Sequence, residues 1–129
     1  MTFSPWHGET AELASPDGAI TATVENPMEL GMGGPSMGEL VLSNGMRREG
    51  CSPSMVWSPD SEYLAIAQWG EDHGQRLMIL SMSRRQSRYA GRTYRVIELE
   101  SFDGRIVTFV DSPKSAPVRI ELDVSKLEW

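Results

Sequence analysis

The amino-acid sequence predicts an all-β domain, an antiparallel meander of about eight strands that forms a small sandwich, a partial barrel or a partial propeller-like sheet. Three observations support this fold class. A turn signal recurs at a fixed interval, and each copy is followed by a short run of apolar and β-branched residues. In addition, no window places apolar residues at the i, i+3, i+4 and i+7 positions of a packed helix.

The turn signal reads SPDG, SPDS and SFDG in its three copies, whose aspartates Asp17, Asp60 and Asp103 lie at equal intervals of 43 residues. Proline presets φ for the first corner of a turn, the aspartate carboxylate accepts backbone N–H groups, and glycine adopts a left-handed conformation at low cost. A tight turn between strands therefore explains each aspartate, and we prefer it to a calcium or catalytic site. The recurrence predicts one domain built on copies near 15–57, 58–100 and 101–129.

The strands follow from short runs of strand-forming residues. In chain order they are predicted at 19–24, 39–43, 54–57, 63–67, 76–81, 93–100, 105–110 and 118–124. The last run alternates apolar and polar residues, which is typical of a half-buried strand. By contrast 63–67 and 77–80 are continuously apolar, as in strands covered on both faces. We therefore expect the middle copy to form the centre of the core.

The composition is that of a globular domain with an acidic balance. The chain has 129 residues, with 12 Lys and Arg against 18 Asp and Glu, which gives a net charge of −6. A domain of this length can bury a core without disulfides, and the single cysteine, Cys51, cannot form an internal one. The first residues lack the pattern of a secretory signal, and no apolar run approaches the roughly 18 residues that cross a bilayer. We therefore expect a cytoplasmic protein with no membrane association.

The segment 56–66, VWSPDSEYLAI, resembles the WD-like β-propeller repeat of the TolB type. Blades of that family carry a Trp/Phe-Ser-Pro-Asp-Gly turn before an apolar strand, and the interval of 43 residues also fits one blade. The match is weaker around 15–24 and weakest around 101–110, where Phe102 replaces the proline. Because closed propellers need at least four blades, we favour a free-standing twisted antiparallel sheet that folds into a small sandwich or partial barrel over a partial propeller completed by self-association. The resemblance implies a binding platform.

Two segments are candidates for contact with a partner. The stretch 84–95 holds five arginines with tyrosines between them, and 28–38 holds methionines among glycines. Arginine and aromatic side chains are typical of protein hot spots, and flexible thioethers adapt to apolar partners. The predicted contact residues are Arg84, Arg85, Arg88, Tyr89, Arg92, Met32 and Met37. Because the chain is acidic, we expect a protein partner and not a nucleic acid, although both segments could simply be solvated loops.

Residues for catalysis are few. Asp72 and His73 follow Glu71 in the predicted hairpin loop 70–74, where a carboxylate beside an imidazole could serve as a general base. Cys51 lies in a predicted turn at 50–53, and a nucleophilic role would require a base such as His73. Nucleophile-elbow, dinucleotide-binding and P-loop motifs are absent from the sequence. No histidine or cysteine pair has metal-ligand spacing, so we expect no metal and no cofactor.

These observations favour a non-catalytic protein-binding module of unknown pathway. A narrower hypothesis is an immunity-type inhibitor, whose negative charge would steer it toward a basic toxin. The alternative from another class is a small-ligand-binding protein or enzyme with a site around Asp72 and His73. Among the tryptophans, we expect Trp57 to anchor the core and Trp129 to fold back and close the sheet.

Overall fold

The computed structural model describes residues 2–31 and 33–129, and within them the chain forms ten β-strands and no helix. Consequently, no helix in the described chain is long and apolar enough to cross a membrane. The strands are β1 Ala11–Ala14, β2 Thr21–Glu29, β3 Ser36–Leu42, β4 Arg47–Trp57, β5 Tyr63–Trp69, β6 Gln75–Ser81, β7 Gln86–Tyr94, β8 Ile97–Phe102, β9 Ile106–Asp111 and β10 Val118–Asp123. The all-β prediction is confirmed, with ten strands where about eight were expected.

Within each of two sheets, strands that are consecutive in the sequence pair antiparallel, so the predicted meander is also confirmed. Strands β1 to β7 form one seven-stranded sheet in chain order, and β8 to β10 form a second sheet of three strands. Strand β4 takes part in two pairings: its first half pairs with β3, its second half pairs with β5, and the register shifts between Cys51 and Met55. The predicted turn around Cys51 is therefore wrong, because the glycine and proline there accompany an irregular stretch inside a strand.

The chain changes sheets at Arg95 and Val96. Strand β7 ends at Tyr94 and β8 begins at Ile97, so the single strand predicted over 93–100 is wrong. The carboxylate of Asp111 accepts hydrogen bonds from the N–H groups of Arg95 at 3.1 Å and Val96 at 3.4 Å. These two bonds satisfy backbone groups that have left one sheet before the next begins.

The segment 84–95, interpreted as a loop, contains the edge strand β7. Only Ala90 and Tyr94 of this strand are buried, and the other seven residues are exposed or half-buried. Arginines on an edge strand hinder pairing with other chains. Arg88 also donates to the carbonyl of Ser87 at 2.8 Å, which covers part of this open edge.

The two sheets stack as three layers. We define the first layer as β1, β2, β3 and the first half of β4, the second as the rest of β4 with β5, β6 and β7, and the third as β8, β9 and β10. One buried cluster joins the first layer to Met55, Trp57, Leu64, Ile66, Met78 and Leu80 of the second. Another joins the third layer to Ala65, Ala67, Leu77, Ile79, Ala90 and Tyr94 on the opposite side of the second.

Both faces of the second layer are therefore buried, as the continuous apolar runs predicted. The faces that point away from the stack are polar. On the first layer this face carries Glu12, Thr23, Glu25 and Glu39, and on the third layer it carries Arg119, Glu121 and Asp123. Charged side chains thus cover the two ends of the stack, where they stay hydrated and have no desolvation cost.

The three aspartates lie in tight turns between paired strands, which confirms their interpretation. The hydroxyls of Ser15 and Ser58 each donate to the aspartate two residues later at 2.6 Å. Asp103 also follows a serine, Ser101, by two residues, but its carboxylate accepts from the N–H groups of Ile106 and Arg105 instead. The first two turns are adjacent, because the N–H of Asp17 donates to the Ser61 hydroxyl at 3.0 Å.

Buried polar side chains join the second and third layers. The Ser54 hydroxyl accepts from the N–H of Leu99 at 2.9 Å, and the Gln75 carbonyl accepts from the N–H of Ile97 at 2.6 Å. Both side chains are fully buried. They supply acceptors to the inner edge of β8, which has no neighbouring strand on that side.

The two tryptophan expectations are also confirmed. Trp57 is buried and donates from its indole N–H to the carbonyl of Leu13 at 3.0 Å. Trp129 folds back onto the second layer, where its ring stacks on Tyr63 with centroids 6.0 Å apart.

Candidate functional site

Three of the predicted partner-contact arginines hold other parts of the chain. Arg84 and Arg88 place their guanidinium groups 5.3 and 5.6 Å from the ring centroid of Trp129. Arg88 also donates to the carbonyl of Glu128 at 3.0 Å, and Arg85 donates to that of Asn44 at 2.8 Å. Through these contacts the three side chains stabilise the fold.

Tyr89 and Arg92 are exposed. Tyr89 is 44% exposed, and the guanidinium of Arg76 lies 4.1 Å from its ring centroid. Arg92 is exposed and lies 5.2 Å from the ring centroid of Tyr94. Of the predicted methionines, Met37 is half-buried in β3 and Met32 lies outside the described residues. Among the methionines that the structure describes, Met28 is the most exposed, at 72%.

Four connecting segments converge at one end of the layers, and we call this region the loop rim. It comprises residues 30–31, 33–36, 69–74, 92–96 and 112–115 together with Trp6. The indole N–H of Trp69 donates to the carbonyl of Ser36 at 3.4 Å, and that of Trp6 donates to the carbonyl of Gly33 at 3.1 Å. These bonds bring the loops of different layers together.

A row of open cavities follows the loop rim. The largest, of about 500 Å³, lies between the second and third layers and is lined by Trp69, Asp72, His73, Arg92 and Arg95 among others. A cavity of about 320 Å³ shares Trp69 and Asp72 with it and adds Arg76 and Tyr89. On the other side, cavities of about 140 and 410 Å³ lie around Lys114 and Trp6.

Cationic and acidic side chains both line the cavities of the loop rim. Within the described residues, the ion pairs are Arg47–Glu39, Arg84–Glu62, Arg105–Asp123 and Arg119–Glu100. None of them includes the four cationic side chains that line the rim cavities, which are Arg76, Arg92, Arg95 and Lys114. Four carboxylates line the same cavities, those of Glu29, Glu71, Asp72 and Asp111. Asp111 accepts from the N–H groups of Arg95 and Val96, and Asp72 accepts from the N–H of Gly74 at 3.3 Å.

Asp72 and His73 lie on an exposed hairpin between β5 and β6, and both line the largest cavity. His73 has a φ of 64°, which fits a tight turn. Cys51 is not brought to them: it is buried between the first two layers, and burial raises the pKa of its thiol to about 12. The structure therefore places the two polar residues in a cavity without the predicted thiol. Among the described residues, no three His, Cys, Asp or Glu side chains are placed to hold a metal ion.

Sequence reasoning did not single out Trp6, Trp69, Arg76, Arg95 and Lys114 as one site. They belong to distant parts of the chain and meet only because the layers stack. The only local signal was Arg95, the last arginine of the segment 84–95.

No family model matches the chain, and no curated protein matches it. Among solved structures, it is similar to the β-propeller domain of the Trilobed protease from Pyrococcus furiosus, which is described as having an open velcro topology. The two are 17% identical with a TM-score of 0.53, and the match covers 79% of this chain and 34% of that chain. The chain thus spans about a third of that propeller, and its fold is propeller-like.

Proposed function

We propose that this protein is a non-catalytic protein-binding module that holds its partner at the loop rim. The observation that carries the proposal is a set of four cationic side chains that form no ion pair within the described residues and lie among aromatic rings along adjoining cavities. Arginine and aromatic residues are enriched at binding hot spots, where their burial by a partner contributes most of the affinity.

We keep the immunity-type inhibitor as the narrower form of this proposal, because the net charge of −6 would steer the chain toward a basic partner. Opposite charges across an interface raise the rate of encounter and exclude wrong partners. We further propose that the repeats are of the WD-like TolB type, on the basis of the turn chemistry at Asp17 and Asp60. A cytoplasmic location stays a prediction.

Affinity capture of the tagged chain from its native source, read by mass spectrometry, tests this proposal. Wild type is compared with an Arg92→Glu/Arg95→Glu variant and with Arg119→Glu, an exposed arginine on the outer face of the third layer. We expect one stoichiometric partner that is lost at high salt and lost with the rim variant, but retained by Arg119→Glu. A partner retained equally by the rim variant, or a protein recovered alone, would contradict the proposal.

A second candidate function is the binding of a small ligand in the largest cavity. Its volume of about 500 Å³ lies in the range of ligand pockets, and both Asp72 and His73 line it. This candidate predicts that His73→Ala abolishes ligand binding while partner capture is unchanged. Stabilisation of wild type but not of His73→Ala by a metabolite library, measured by thermal shift, would favour it.

A further inference from the structure

The third layer has three strands, whereas the first two layers have four. The turns at Asp17, Asp60 and Asp103 precede β2, β5 and β9, so these three strands correspond, and β3, β6 and β10 follow them as the third strands of their layers. A fourth strand pairs antiparallel with β3 and with β6, namely the first half of β4 and β7. Within the described residues β10 pairs with β9 alone. The free edge of β10 therefore lies where the other layers carry a fourth strand.

The backbone of β10 presents donors and acceptors along this edge. The N–H of Val124 donates to the carbonyl of Arg105 at 2.8 Å, and the register with β9 continues without a shift. Because hydrogen-bonded pairs alternate along an antiparallel ladder, Ile120 and Leu122 also direct their N–H and C=O groups to β9. The outward groups belong to the residues between them, which are Arg119, Glu121 and Asp123.

Two other strand edges are covered by side chains of the chain itself. On the inner edge of β8, Ser54 and Gln75 accept from backbone N–H groups, and on β7 the Arg88 guanidinium donates to a backbone carbonyl. Next to β10, by contrast, Arg105 and Ser125 donate to the carboxylate of Asp123. These bonds leave the outward backbone groups of β10 open to another strand.

The apolar side chains of β10 are also less buried than those of the other third strands. Leu40 in β3 and Leu77 in β6 are fully buried, whereas Ile120 and Leu122 are half-buried and Val118 is 56% exposed. Strand β3 lies, like β10, in a layer with one face toward solvent, so the position of the layer does not explain the difference. A fourth strand with apolar residues on the same face would cover these side chains.

The charges of β10 favour a strand from a different protein over a second copy of this chain. Arg119 and Asp123 already pair with Glu100 and Arg105, at 3.2 and 3.0 Å. Glu121 forms no ion pair within the described residues. Full antiparallel pairing of two β10 strands would place Glu121 opposite its own copy, which is destabilising, whereas a basic residue opposite it is stabilising.

We propose that the free edge of β10 binds an extended segment of a partner protein as an antiparallel fourth strand. Apolar residues of the segment face the second layer beside Ile120 and Leu122, and a basic residue lies opposite Glu121. The backbone bonds provide affinity and the alternating side chains provide specificity. The inference goes beyond the proposed function, because this edge is separate from the cations of the loop rim.

The first test is the binding of a fluorescein-labelled peptide, Thr-Val-Lys-Val-Thr-Val-Thr, measured by anisotropy. Residues directly opposite each other share a face, so the Thr and Lys N–H groups point to β10 and the Val N–H groups point to solvent. We expect backbone N-methylation of the Lys and its two nearest Thr residues to weaken binding at least about tenfold. N-methylation of the Val residues is the matched control and should leave binding unchanged.

The second test locates the peptide on the protein. Saturating peptide should slow amide hydrogen exchange at Arg119, Glu121 and Asp123 at least about tenfold, as measured by NMR. Glu121→Pro removes the central outward N–H without breaking a bond to β9, so we expect it to abolish binding. Glu121→Thr, which keeps the N–H, should retain binding, and circular dichroism confirms that both variants are folded.

Four results would overturn the inference: no binding of the peptide, equal effects of the two N-methylated peptides, protection of amides elsewhere than on β10, or a wild-type dimer that Glu121→Pro dissociates. The last would identify a second copy as the occupant. The Arg92→Glu/Arg95→Glu variant should bind the peptide like wild type, and loss of binding there would place the peptide at the loop rim. Partner capture by that variant tests the proposed function separately.

Discussion

The side chain of Asp60 illustrates how one residue determines a turn. Its carboxylate accepts from the Ser58 hydroxyl at 2.6 Å and from the N–H of Glu62 at 3.1 Å. The same Ser58 hydroxyl accepts from the N–H of Tyr63, so two consecutive hydrogen bonds connect Asp60 to the first residue of β5. These bonds hold the pKa of Asp60 below its ordinary value, and the pKa of Asp17 is lowered by the equivalent bonds from Ser15 and Ala19. The turn depends on the ionised form of the aspartate.

Acid should therefore destabilise the protein. A carboxylate whose pKa is lower in the folded state contributes stability that is complete above its unfolded pKa near 4 and lost as the pH falls through the folded pKa. Asp17, Asp60 and Asp103 are of this kind, and bonds from Ser125 and Arg105 lower the pKa of Asp123 to about 2. We expect the free energy of unfolding, measured by urea titration, to fall between about pH 4 and pH 2.

Asp60→Asn is expected to reduce the pH dependence of the free energy of unfolding, because the amide does not titrate. Glu9→Gln is the matched control, since Glu9 is exposed and forms no hydrogen bond with the described residues. A wild type whose stability is constant over this pH range, or an Asp60→Asn variant with the same slope as Glu9→Gln, would show that the turns do not depend on ionisation.

At the scale of elements, the second and third layers are joined by side-chain acceptors on the inner edge of β8. We expect Ser54→Ala to lower the free energy of unfolding by about 1–3 kcal/mol, because it leaves the buried N–H of Leu99 without an acceptor. Ser101→Ala, on the exposed side of β8, should change it by no more than about 0.5 kcal/mol. Chemical denaturation measures both, and equal effects would mean that the Ser54 bond contributes nothing.

The sequence could predict the strands that alternate or run apolar, but not where a strand ends inside a uniform run. Residues 94–99 contain strand-forming side chains with no glycine or proline, so nothing local marks the passage between sheets at Arg95. Strand β7 was missed because its own sequence gives no strand pattern: its exposed arginines and Gly91 show no apolar alternation. Its pairing with β6 determines its conformation.

At the scale of the whole molecule, the candidate site could not be predicted because it is made by stacking. Trp6, Trp69, Arg95 and Lys114 come from separate connections and have no common spacing. The sequence did indicate which layer is central, since continuous apolar runs are required only where both faces are covered. It also placed Asp72 and His73 in a hairpin, which lies at the loop rim.

The polar outer faces make stacking of further copies unfavourable. The second layer packs against its neighbours through apolar side chains such as Leu64 and Ala65. The outer face of the third layer instead carries the exposed side chains of Arg119 and Glu121. Burying these charges would cost more free energy in desolvation than the new contacts would contribute. We expect light scattering to give a single species of 14.3 kDa. A discrete oligomer would instead support the alternative of a propeller completed by self-association.

The two halves of β4 lie in different layers, and this has a consequence for how the fold can change in evolution. The boundary between the first and second layers is the interior of one strand, so neither layer can be duplicated or deleted without cutting that strand. In the chain, the third layer follows the second through Arg95 and Val96. Recombination can therefore exchange the third layer as a module, whereas the first two layers are inherited together.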